Sequence, residues 1–116
     1  MTLIAPPRQP SAGLVVVLAL LAAASARADD APLTLTIQDH RFIPAEIHVP
    51  AGQPTLVQVE NRDATPEEVE SAQLGIEKVV PAHARSRIHL RPLAAGRYPF
   101  FGEYHPETAQ GAVIAE

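Results

Sequence analysis

Leu33-Thr34-Leu35-Thr36-Ile37-Gln38 (LTLTIQ) alternates apolar and polar side chains without a break. A period of two places Leu33, Leu35 and Ile37 on one face of an extended chain and the polar residues on the other, which is the pattern of a half-buried strand. The pattern recurs downstream. Ile47 and Val49 form a second run, closed by Pro50-Ala51-Gly52, and Thr55 to Glu60 (TLVQVE) a third, ending at Asn61-Arg62-Asp63. A fourth lies in Leu74 to Val80 and stops at Pro81. Ile88 and Leu90 mark a fifth, before Pro92 and Gly96. Arg97 to Phe101 is the sixth and Ala112 to Ala115 the seventh. Short strands with turn residues every ~8–12 positions predict an all-β, antiparallel β-sandwich of about seven strands over Leu33 to Ala115. Leu35, Ile37, Val57, Val59, Ile88, Leu90, Tyr98 and Phe100 are its expected core. Pro99 implies that its missing N–H faces away from the ladder or that the sixth strand is irregular.

One segment reads two ways. Pro66 to Gln73 (PEEVESAQ) admits a short helix, with Pro66 at its first position and Glu67 and Glu68 complementing the dipole. It reads equally as a strand, because Val69 alternates with Glu68 and Glu70.

The chain has 116 residues and no cysteine, enough for one domain. Arg8, the apolar run Leu14 to Ala24 and Ala26-Arg27-Ala28 together have the form of a secretory signal peptide. The run is shorter than the roughly 20 apolar residues that span a bilayer. Residues 1–28 are therefore expected to be a signal and 29–116 an exported domain not inserted in the membrane. Without Arg8 and Arg27, seven basic residues face thirteen acidic ones, a net charge of −6. That balance argues against nucleic acid as a partner and suits cations.

Several short motifs then appear in order: Phe42-x-Pro44, Val49-Pro50-Ala51-Gly52, Val59-x-Asn61, Gly96-x-Tyr98-x-Phe100, and His105 followed by Gly111 and an apolar last strand. In this order and spacing they resemble the cupredoxins. The resemblance implies a Greek-key sandwich with a metal site at one end, built from the loop after the Val-x-Asn strand and the loop between the last two strands. Blue-copper members place a Cys after the Tyr-x-Phe strand, where this chain has Gly102. His105 matches the following His. Ala109 and Gln110 stand where Met is expected, and Glu67-Glu68-Val69-Glu70 replaces the first His. Without a thiolate, a blue type 1 copper centre is excluded. Glu68-Val69-Glu70-Ser71, Glu77-Lys78-Val79-Val80-Pro81 and Phe100 to Pro106 (FFGEYHP) resemble the EfeO-type branch, which accompanies bacterial oxidative ferrous-iron permeases. That branch implies copper or iron as the bound ion, with carboxylates at the lost ligand positions. It also implies a location in the periplasm, with an inner-membrane iron permease and its periplasmic partner protein as partners.

Glu103 and His105 are two apart, so an extended backbone points both to one side. Glu68 and Glu70 have the same relation if their segment is extended. If it is helical, they diverge by roughly 200°. These four are the expected metal ligands, with Glu67, Glu77 and His40 as weaker candidates. One imidazole with carboxylates suits Cu(II), Fe, Zn or Mn better than Cu(I). Against this stand plainer readings. Charge runs are usually solvated, and a lone His often makes a structural hydrogen bond. Asp63 is expected to bond its local backbone. His48 and His89 should face solvent. No nucleophile elbow, phosphate loop or zinc motif is present.

The leading functional expectation is metal binding in support of iron uptake, extending to assistance in ferrous-iron oxidation. Two alternatives stay open. One is a metal-free module in which the acidic stretch and the Arg85 to Arg97 stretch dock a transporter subunit. The other is a copper carrier.

Overall fold

The alternation at the start of the domain becomes β1 (Leu33–Gln38) in the computed structural model, which describes residues 2–13 and 32–116. The apolar run and cleavage site of the expected signal peptide lie outside the described residues. Eight strands follow: β2 (Arg41–Ile43), β3 (Glu46–Val49), β4 (Thr55–Asn61), β5 (Glu67–Ser71), β6 (Ile76–Val80), β7 (Arg85–Leu90), β8 (Gly96–Gly102) and β9 (Gln110–Ala115). Among the described residues there is no helix, so the segment after Pro66 takes its strand reading. Val69 anchors it at 1% exposure between two ladders, one to β6 and one to β8. The strands beyond the expected seven are β2 and β5.

The strands form two layers, ordered β2-β1-β4-β7 and β3-β9-β8-β5-β6. Most neighbours are antiparallel, but β1 pairs with β4 and β3 with β9 in parallel. A parallel pair needs a crossover rather than a hairpin. The chain supplies one by leaving the first sheet after β2, running as β3 in the second, and returning as β4 beside β1. This is the crossed, Greek-key-like connectivity the sequence resemblance implies.

The core lies between the layers. Leu35, Ile37, Val57, Val59, Ile88 and Leu90 from the first sheet are all buried, as is Phe100 from the second. Each such side chain contributes about 1.5–3 kcal/mol on leaving water. Tyr98 is only half-buried. It packs on the core with its ring, while its hydroxyl donates to the Ala94 carbonyl at 2.8 Å. His48 and His89 are exposed in mid-strand, as their alternation requires.

Two local devices shape one end of the sandwich. Asp39 and His40 have φ of 52° and 57°, forming the tight link between β1 and β2. The Asp63 carboxylate accepts from both of their N–H groups, at 2.8 and 3.0 Å. The expected local bond of Asp63 is therefore replaced by a long-range one. Asn61 makes the local bond instead, accepting from Asp63 N–H at 2.9 Å. Asn61 is 1% exposed, and its Nδ2 donates to the carbonyls of Thr65, Val80 and Pro81. It thereby fixes the path of the loop that delivers β5.

Candidate metal centre

β5 sends its side chains alternately to two faces. Glu67, Val69 and Ser71 point into the sandwich. Glu68 and Glu70 point outward, beside Val79 and Glu77 of β6 and Phe101 of β8. Glu103 follows the end of β8, and its N–H donates to the Glu68 carbonyl at 2.9 Å. One carboxylate oxygen from each of Glu68, Glu70 and Glu103 lies within 4.8 Å of the others. Three of the four expected ligands therefore meet.

The electrostatics of this trio are unfavourable without a cation. Glu70 Oε2 is buried and has no hydrogen-bond partner. Glu70 raises the Glu103 carboxyl above its ordinary range, first by a hydrogen bond that favours the protonated form and then by its charge. Desolvation and the charge of Glu77 add to this, and a hydrogen bond with Glu68 opposes it. Desolvation and the Glu68 charge also raise the Tyr104 phenol. Glu77 sits opposite Glu70 and is exposed. It adds charge to the cluster but lies outside the converging group.

His105 does not join the trio. The expectation assumed an extended chain through residues 103–105, but the segment turns. His105 N–H donates to the Gly102 carbonyl at 3.2 Å, and Ala109 N–H donates to the His105 carbonyl at 2.8 Å. Two-residue parity no longer holds, so Glu103 stays outside while the His105 ring goes inward. There its Nδ1 meets Glu67 Oε2 at 2.6 Å. With Glu67 ionised, and so only accepting, this bond requires the proton on Nδ1. Glu67 Oε1 accepts the N–H groups of Glu68 and Tyr104, at 3.0 and 2.9 Å. Glu67 is 1% exposed. The His40 ring stacks on His105 with centroids 3.6 Å apart and planes 10° from parallel.

Glu67, a weaker candidate on sequence, is the organising group of the interior end. Its companion signal was Gly102. A Cβ at Gly102 would stand 2.6 Å from Glu67 Cδ and 2.7 Å from the Ala109 Cβ. The acid at 67 and the missing side chain at 102 occupy one space, a relation invisible along the chain.

A two-layer β-sandwich of nine strands with carboxylates and imidazoles gathered at one end defines the class of small all-β scaffolds to which the molecule belongs. Within it, residues 11–115 match the cupredoxin-like domain, and the chain belongs to that family. The uncharacterized protein RP394 of Rickettsia prowazekii (strain Madrid E) is 42% identical over 80 residues, which are 69% of this chain. The match spans 64% of that relative's length. Amicyanin from Paracoccus versutus shares the fold at TM-score 0.57 and 22% identity, over 73% of this chain and 81% of its own. An amicyanin mutant in its reduced Cu(I) form at pH 4 aligns at TM-score 0.61 and 21% identity, covering 75% and 84%.

The residues present do not fit a type 1 copper. The chain has no thiolate. The space where one would project from position 102 is filled by Glu67, and His105 Nδ1 is already bonded. The outer trio does fit a cation, because its orphaned oxygen and its raised carboxyl are both relieved by positive charge. Its all-oxygen donors favour hard or borderline ions over Cu(I).

Proposed function

We propose that this cupredoxin-like protein binds an iron or copper ion through Glu68, Glu70 and Glu103, and that it does so in the periplasm in support of iron acquisition. The observation that carries the reading is the convergence of three carboxylates around the buried, unpartnered Glu70 Oε2. Glu103 supplies a ligand from the loop between the last two strands, while β5 holds the other two rigidly. Three carboxylates stabilise Fe(III) more than Fe(II), so the site favours the product of ferrous oxidation. An electron acceptor would have to come from elsewhere. The natural partners on this reading are an inner-membrane iron permease and its periplasmic companion.

The test is metal analysis after mild purification, followed by Fe(II) and Cu(II) titration of wild type, Glu70→Gln and Glu103→Gln. Each variant is expected to lose at least about tenfold in affinity. Wild-type binding of neither ion would leave the metal-free docking module as the better reading. A strong preference for Cu(II) with no response to iron would favour the copper carrier.

A further inference from the structure

The interior end of the sandwich has imidazoles and an acid but, among the described residues, no converging ligand set. We propose that Glu67 is the specificity-determining residue of this domain: its carboxylate closes the interior end to metal ions and confines binding to the outer face. The proposal rests on the outer-carboxylate reading only for where the ion goes instead.

Four observations converge on Glu67. Its side chain fills the volume beneath Gly102, so no other atom can project there. Oε2 holds His105 Nδ1 at 2.6 Å, which consumes the ring nitrogen that faces the interior. Oε1 holds two backbone N–H groups, so both oxygens are engaged. At 1% exposure, the group also has no approach from solvent. A metal could enter only by breaking three hydrogen bonds, one of them short and charge-assisted. The His105 ring also lines an open cleft of about 390 Å³ with His40, Tyr104, Pro106, Glu107 and Thr108. Among the described residues the outer trio is the only group of three ligating side chains that converges.

Glu67 thus acts on binding through His105 and Gly102 rather than by touching the ion. Its neighbours on the same strand show the contrast. Glu68 and Glu70, on the other face, have no backbone N–H groups aimed at them and are left to attract a cation.

The experiment uses Cu(II) and Zn(II) as probes on the full chain, with the imidazole nitrogens as the readout. In wild type, pulsed EPR of bound Cu(II) is expected to show no imidazole coupling. The ¹⁵N resonance of His105 Nδ1 is expected to stay protonated and unshifted on adding Zn(II). Glu67→Ala frees Nδ1 and opens the space, so it should gain imidazole-coupled Cu(II). That signal should vanish in Glu67→Ala with His105→Ala. Glu70→Gln should weaken the oxygen-ligated copper without producing imidazole coupling.

Imidazole coupling in wild type, or metal-shifted Nδ1, overturns the proposal. So does a folded Glu67→Ala that gains no nitrogen ligand. Should Glu67→Ala fail to fold, the two wild-type measurements decide the matter. Failure of the outer site is distinguishable: wild type then binds no Cu(II), yet Glu67→Ala still gains the imidazole-ligated ion.

Discussion

Glu67 and Glu70 sit three residues apart on one strand, and their surroundings are opposite. Glu67 is buried in the sandwich with both oxygens engaged by an imidazole and two backbone N–H groups. Glu70 is only partly buried, but one oxygen is shut away from water with nothing to bond, and two further carboxylates lie against it. Burial alone therefore does not make an acid a ligand. A carboxylate whose oxygens are both hydrogen-bonded is a structural group, and one with an oxygen stranded beside like charges is poised for a cation. On the proposed reading, the first kind closes the end of the domain and the second keeps a face open for an ion.

The comparison breaks most sharply at His105. Its removal by His105→Ala leaves Glu67 buried with two N–H partners and no imidazole. The expected loss is about 3 kcal/mol, near the lower end for stripping one partner from a buried charge. Urea unfolding measures it. A loss below about 1 kcal/mol would mean that Glu67 is not held by this bond. Gly102→Ala attacks the same region by volume. Its Cβ would sit 2.6 Å from the Glu67 Cδ, and overpacking of this kind costs about 1–3 kcal/mol. Wild-type stability in this variant would show that Glu67 can move aside.

Glu70→Gln acts on the other region and in the other direction. It removes a charge from the trio, so the metal-free protein should gain stability, by less than about 1 kcal/mol given its exposure. The same variant should bind the ion more weakly. A variant destabilised in the metal-free state would show that the trio is not under repulsion.

The two regions also differ in how far the sequence exposed them. Strands β1 and β4 were legible because Leu33 to Ile37 and Val57 to Val59 alternate cleanly and bury one face. Strand β2 was not, since Arg41-Phe42-Ile43 is too short to show a period. Strand β5 carries one apolar anchor, Val69, among acids, so its type was undecided until two neighbouring strands claimed it. The outer pair Glu68 and Glu70 followed from parity once β5 was extended. The partner of His105 did not. Gly102 and Pro106 bracket a turn, and a turn cancels the parity that placed Glu103 and His105 together. The position of Glu67 depends on contacts between residues 35 or more apart in the chain, which no local pattern records.

The smallest expected effect is a pH dependence confined to the outer face. The folded-state pKa of Glu103 lies above its ordinary value of 4.5, chiefly through Glu70. The sign follows from linkage. The unfolded chain releases this proton more readily than the folded one, so the contribution is fully present below 4.5. It is lost as pH rises through the raised folded value. The metal-free protein should therefore melt at slightly lower temperature on going from about pH 4 to neutrality, as far as Glu103 decides it. Glu103 is solvent-facing, so the effect is modest and should shrink in high salt. A bound cation reverses the sign, because protons then compete with the ion and affinity climbs over the same interval. Thermal melts of wild type and Glu103→Gln, with and without Cu(II), read the difference directly. The variant should flatten this part of the metal-free curve and lose the opposite slope of the metal-bound one. Identical slopes in the two proteins would remove Glu103 from the trio and leave Glu68 and Glu70 as an acidic pair without a third carboxylate.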